Sequence, residues 1–252
     1  MLQGKTIFIT GATAGFGLDC AKLFVSHGAK VIATGRRSER LDALKSELGD
    51  AVHVITLDVQ DKTAVEQAIA GLPAEFSRVD ILINNAGLAL GLGSYEKQPL
   101  SNIEQMINTN INGVLYCTHA LLAGMVERNS GHIVNLSSVA GTYPYPGGNV
   151  YGATKAFITQ FSLNLRADLL GKNIRVTSIE PGMCDTEFSK VRFNGDEKKA
   201  EGIYAGMQPL TSEDIANTIL WTITQPEHVN INRLEIMPVM QAFSAFAVNR
   251  KA

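Results

Sequence analysis

Seven short apolar runs, at residues 5 to 10, 30 to 34, 52 to 57, 79 to 83, 131 to 136, 174 to 180 and 233 to 238, alternate with stretches of helical hydrophobic spacing. Strands that alternate with helices pair in parallel through crossovers, and a parallel sheet is covered by helices on both faces. The run from 79 to 83, interrupted only by Asp80, has the continuous apolar character of a strand buried on both sides. Right-handed crossovers then give a doubly wound sheet of seven strands. A chain of 252 residues is long enough for one such core, and no linker composition divides it. It reads as a single domain, 1 to 252, with one half at about 1 to 135 and a second at about 136 to 252.

In doubly wound sheets the ligand lies beyond the carboxyl ends of the strands, so the residues that end each strand carry the functional signal. The first strand runs directly into Gly11-Ala12-Thr13-Ala14-Gly15-Phe16-Gly17, and a helical pattern follows at once. Glycines at 11, 15 and 17 permit a tight turn and a close backbone approach to a phosphate, while the new helix directs its positive end at the same anion. This is a dinucleotide loop in its strand-to-helix setting, which makes the fold Rossmann-type. The spacing is Gly-x-x-x-Gly-x-Gly, not Gly-x-Gly-x-x-Gly.

The second strand ends at Gly35-Arg36-Arg37, where sites for NAD usually place an acid to bind the adenosine ribose. Two guanidiniums suit a 2′-phosphate and hence NADP. A solvated basic pair opening the next helix is the other reading. Thr13 could add a hydroxyl to the same phosphate. The third strand ends Leu57-Asp58-Val59, with a carboxylate in reach of an adenine amino group, and the fourth ends Asn84-Asn85-Ala86-Gly87, where small residues let backbone pass close to a ribose. Asn84 can also tie neighbouring strands together. The fifth strand leads to Ser137-Ser138, and the sixth ends Glu180-Pro181-Gly182, with Thr186 shortly after.

Tyr151 and Lys155 stand four residues apart in a helical segment, so both side chains leave one face. A free tyrosine titrates near ~10, and a neighbouring ammonium favours its phenolate. A tyrosine tuned in this way can exchange a proton with an alcohol oxygen. The same spacing also arises by accident on amphipathic helices.

Composition excludes other classes. A net charge of −2 gives no reason to expect nucleic acid. The five histidines lack metal-ligand spacing and the three cysteines lack a pairing motif, so neither a metal nor a disulfide framework is expected, which fits a reducing compartment. With no signal-like amino terminus and no apolar run near the ~20 residues of a membrane span, the expectation is a cytoplasmic protein with no membrane partner.

Taken together, Thr10-Gly11-x-x-x-Gly15-x-Gly17, Asn84-Asn85-Ala86-Gly87, Ser138 thirteen residues before Tyr151-x-x-x-Lys155, and Pro181-Gly182 resemble the short-chain dehydrogenase/reductase family over nearly the whole chain. The resemblance implies that Tyr151 is the acid/base, that Lys155 lowers its pKa and holds the nicotinamide ribose, and that Ser138 hydrogen-bonds the substrate oxygen. It further implies that Asn110 orders a proton-relay water and that Thr186 fixes the nicotinamide carboxamide. Within the family, the local sequences at 13 to 17, 35 to 37, 186 to 196 and 230 to 238 are similar to those of NADP-dependent 3-hydroxy acid (serine or allo-threonine) dehydrogenases, which reduce malonic semialdehyde.

That subgroup implies a small anionic substrate. Arg192, in a lid-like insertion at about 186 to 204, is the candidate for its anionic end, with an ordinary surface arginine as the alternative; Tyr143 and Tyr145 are wall candidates. Reduction of sulfoacetaldehyde would need the same groups. A non-catalytic NADP-binding regulator is the reading from another class, and the intact Asn110, Ser138, Tyr151 and Lys155 argue against it. Two long helical patterns, 100 to 127 and 150 to 170, and an apolar tail at 240 to 248 suggest self-association, and the resemblance implies a homotetramer.

Overall fold

The computed structural model describes residues 2 to 192, 196 and 202 to 242; for Lys190 it describes the backbone alone. Seven parallel strands form one sheet in the order β3-β2-β1-β4-β5-β6-β7. They are β1 (Thr6–Ile9), β2 (Lys30–Gly35), β3 (Val52–Thr56), β4 (Ile81–Asn84), β5 (Gly131–Leu136), β6 (Ile174–Pro181) and β7 (Arg233–Ile236). All seven expected strands are present, with β1, β3, β4 and β7 shorter than their apolar runs. Strand order reverses between β1 and β4, and that switch point is where a doubly wound sheet opens a crevice.

The helices are α1 (Gly15–Ser26), α2 (Ser38–Leu48), α3 (Lys62–Ala70), α4 (Leu100–Ile107), α5 (Gly113–Glu127), α6 (Asn149–Asp168), α7 (Glu187–Arg192) and α8 (Ser212–Ile223). Successive side chains of a strand point to opposite faces, so each strand feeds two cores. Ile7 and Ile9 pack with Phe24 of α1 and Ile219 of α8, whereas Phe8 packs with Cys117 and Leu121 of α5 and Leu165 of α6. This two-sided burial explains why central strands such as β1 read as nearly continuous apolar runs.

The expected helix from 100 to 127 is not continuous. A π turn, Asn108–Asn112, separates α4 from α5, and there the Gly113 amide reaches back to the Asn108 carbonyl. One extra residue in a turn leaves the apolar spacing on either side intact, and such turns concentrate at functional sites. Most of the apolar tail, from residue 243 onward, lies outside the described residues.

Candidate active site

A cleft of about 740 Å³ opens along the carboxyl ends of the strands and takes its lining from both halves of the chain. All the candidate residues line it except Gly17 and Asn110. Gly17 lies beneath the glycine-rich turn, where a Cβ would come 2.5 Å from both the Asn85 side-chain nitrogen and the Gly11 carbonyl oxygen. Gly11 and Gly15 hold positive φ angles of 69° and 51°, a region that favours glycine. Asn85 fastens this turn from β4 by donating to the carbonyls of Thr10 and Gly11 at 2.8 and 3.1 Å. Asn84 ties strands together as its type suggested, donating to Asn135 Oδ1 at 2.8 Å and Thr118 Oγ1 at 3.0 Å.

At the adenosine end, Arg37 donates through Nε and Nη2 to Thr13 Oγ1 at 3.1 and 2.8 Å. Its Nη1 pairs with Glu187 at 3.0 Å, and Arg40 pairs with the same carboxylate at 2.9 Å. Arg36 is exposed and has no hydrogen bond or ion pair to a described residue. Sequence reasoning missed Arg40 and Glu187. The signal available was an acid directly after Thr186 facing an excess of cations at 36, 37 and 40. Asp58 accepts from the Gln60 amide at 3.0 Å.

At the other end, Ser138 caps a short 3₁₀ turn (Val139–Gly141), accepting from the Ala140 amide at 3.1 Å and donating to the Pro181 carbonyl at 3.2 Å. Tyr151 and Lys155 emerge from the same face of α6, with the Lys155 amine 5.8 Å from the tyrosine ring centre. Asn110 is buried in the π turn and clamps the loop after β4 to α6. Its Oδ1 accepts from the Leu88 amide, and its Nδ2 donates to the Leu88 carbonyl and to Thr154 Oγ1, at 2.8, 2.8 and 3.0 Å. Its side chain is thus committed to protein partners.

Lowering of the Tyr151 pKa was expected, and among the protein's own groups the balance runs the other way. Burial is the largest influence and raises it; the Ser138 hydrogen bond lowers it, Tyr145 and Cys184 raise it, and Arg192 lowers it. Lys155 is itself desolvated, with its pKa lowered from 10.5 to about 8. Its amine donates to the Leu136 carbonyl at 2.6 Å.

The cover over Tyr151 is α7. Phe188 tilts against the Tyr151 ring at 5.6 Å, and the Arg192 guanidinium lies 5.5 Å from the ring centres of both Tyr145 and Tyr151. Arg192 Nη2 donates to the Tyr145 hydroxyl at 2.7 Å, and the Gly91 amide donates to the Arg192 carbonyl at 3.0 Å. Thr186 passes over the glycine-rich turn, its Cβ 3.6 Å from where a Cβ on Gly15 would stand. The hydroxyl of Tyr204 donates to the Cys184 carbonyl at 2.6 Å and meets Ser189 Oγ at 2.6 Å, fastening the helix to the segment before it. Residues 193 to 195 and 197 to 201 of the expected lid lie outside the described residues. Tyr143 bonds Glu235 at 3.2 Å.

An elongated cleft has therefore formed between a glycine cradle and a Ser-Tyr-Lys cluster, with arginines at its adenosine end, and these groups fit a phosphorylated dinucleotide. Residues 5 to 197 match the family model described as short chain dehydrogenase, and the chain belongs to that family. It is 56% identical over 247 residues to a serine 3-dehydrogenase of Rhizobium radiobacter, covering 98% of this chain and 99% of that one. The NADP-dependent 3-hydroxy acid dehydrogenase YdfG of Escherichia coli K12 is 55% identical over 246 residues, 97% of this chain and 99% of its own. Among solved structures, the closed form of a serine dehydrogenase complexed with NADP⁺ superposes with a TM-score of 0.97 at 55% identity, covering 98% of this chain and all of that one. Among the described residues no helix is long and apolar enough to cross a membrane, and no cluster of three metal-ligating side chains occurs.

Proposed function

We propose that the chain is an NADP(H)-dependent oxidoreductase that interconverts a small anionic 3-hydroxy acid, or hydroxy amino acid, and its aldehyde or ketone. The observation that carries the reading is the Arg192 guanidinium 5.5 Å from the ring centre of Tyr151, a cation for the substrate's anionic end beside a proton-bearing hydroxyl. The names of the similar proteins, a serine 3-dehydrogenase and an NADP-dependent 3-hydroxy acid dehydrogenase, support a carboxylate substrate and this cofactor. They lend no support to sulfoacetaldehyde.

When bound, the cofactor supplies hydride transfer; the chain supplies the rest. Gly11, Gly15 and Phe16 would cradle the pyrophosphate, with Gly17 packed beneath them, Arg36, Arg37 and Thr13 would take the 2′-phosphate, and Asp58 and Val59 would take the adenine. Asn85, Ala86 and Gly87 would border the ribose, and Pro181, Gly182 and Thr186 would orient the carboxamide. Ser138 and Tyr151 hydrogen-bond the reacting oxygen, stabilising the charge that develops there, and Tyr151 delivers the proton in reduction. Burial favours the protonated phenol, the form needed by an acid. Lys155 holds the ribose and favours the phenolate in oxidation, and Asn110 fixes the wall behind it. Tyr145 orients Arg192.

Arg192→Ala should raise KM for carboxylate aldehydes about tenfold or more, the worth of a charge-assisted hydrogen bond. A neutral aldehyde of equal length should change little, and equal losses on both would return Arg192 to a structural role. We further propose a cytoplasmic homotetramer. Exposed Leu100, Ile107 and Phe157 on α4 and α6 support an association face, and buried, unpaired cysteines accord with a reducing compartment.

A further inference from the structure

One short helix spans the two ends of the cleft. At its start, Glu187 is held by Arg37 at 3.0 Å and Arg40 at 2.9 Å. Both arginines are clipped to the glycine-rich turn, Arg37 at Thr13 Oγ1 and Arg40 at the Thr13 carbonyl, 3.2 Å away. Five residues on, Arg192 lies over Tyr145 and Tyr151. We propose that Glu187 is a positioning residue that makes the substrate-anion site depend on the 2′-phosphate end of the cofactor, by tying α7, and with it Arg192, to the arginines of that end. The proposal rests on the reading of Arg192 given above.

Charge count favours a tie over a competitor. Arg36, Arg37 and Arg40 with one carboxylate leave two positive charges, which matches a phosphate monoester carrying about −1.5 to −2 at neutral pH. Arg36, with no described partner, is free to meet the phosphate while Arg37 and Arg40 keep their hold on Glu187. The side chains of all three paired residues are 40 to 43% exposed, so before ligand binds the tie is a weak surface pair. A phosphate on the same cluster would relieve the repulsion among its guanidiniums and shed water from it, and in the proposed tie these gains outweigh the direct repulsion between phosphate and carboxylate. An effect of about fivefold is the scale such pairs support.

The test uses the full-length chain with adenosine 2′,5′-bisphosphate and adenosine 5′-monophosphate, which lack nicotinamide. In wild type, the bisphosphate should slow amide hydrogen exchange over Glu187–Arg192 and the monophosphate should not. In Glu187→Gln, calorimetry should find the bisphosphate bound no tighter than in wild type, with the slowing lost. With NADPH, the same variant should show KM for a carboxylate aldehyde raised about fivefold, while kcat and KM for a neutral aldehyde stay put. Slowing that persists in Glu187→Gln would overturn the tie, as would bisphosphate that speeds exchange in wild type or binds tighter to the variant, the mark of a competitor. Slowing that depends on Glu187 with no change in carboxylate KM would instead reject the Arg192 reading, and the link to substrate with it.

Discussion

Replacing Lys155 with methionine in the ligand-free protein tests the electrostatics of the site without turnover. Lys155 is only 6% exposed, and burial holds its pKa at about 8 against an ordinary 10.5. The folded chain therefore releases this proton first. Between those two values the unfolded chain binds more protons, so the stability contributed by this group rises with pH through that window and is flat below it. At ~1.4 kcal/mol per pKa unit, the depression amounts to about 3 kcal/mol, gained at no more than ~1.4 kcal/mol per pH unit. Tyr151 acts in the opposite sense: its raised pKa keeps the proton on the folded chain, and stability is lost as pH climbs past the ~10 of an unfolded tyrosine. Losing a nearby cation can only raise that pKa further, so the folded phenol stays protonated in both proteins up to about pH 10.5 and its contribution cancels in their difference over this range. Urea unfolding from about pH 7 to 10.5 should find wild type gaining about 3 kcal/mol on Lys155→Met. Parallel curves would mean that Lys155 keeps a solvent-like proton, and the reasoning from burial would fail.

Two further outcomes concern the frame around the site. Gly17→Ala should cost about 1 to 3 kcal/mol in unfolding experiments and weaken NADPH binding in fluorescence titration, because the new methyl meets the Gly11 carbonyl at 2.5 Å and must shift the phosphate turn. Arg233→Ala leaves the fully buried Glu180 without the guanidinium now 2.6 and 2.9 Å away, a loss of about 3 kcal/mol by chemical denaturation; the Thr159 and Ser178 hydroxyls that still reach the carboxylate keep it from being larger.

The central strands were legible because burial on both faces writes itself as nearly continuous apolar runs, and the cofactor turn because positive φ at Gly11 and Gly15 favours glycine. The π turn at Asn108–Asn112 was not, since it changes hydrogen bonding while the apolar spacing of α4 and α5 continues. Four-residue spacing put Lys155 beside Tyr151, yet spacing carries no information on desolvation. The covering by Phe188 and Arg192 comes from a segment more than thirty residues away in sequence. The Glu187 tie joins residues 150 apart, and Arg40 on the polar face of α2 looks like any solvated charge until the fold brings α7 over it.

The reading of the site as an NADP(H)-dependent reductase with Tyr151 as its acid is tested most directly by following NADPH absorbance with a short carboxylate aldehyde, wild type beside Tyr151→Phe. The account expects the wild type to consume NADPH and the variant to turn over ~10² to 10⁴ times more slowly, with NADPH binding intact because ring packing is unchanged. A variant that kept half the wild-type kcat, or a wild type inert toward every short anionic aldehyde, would contradict it.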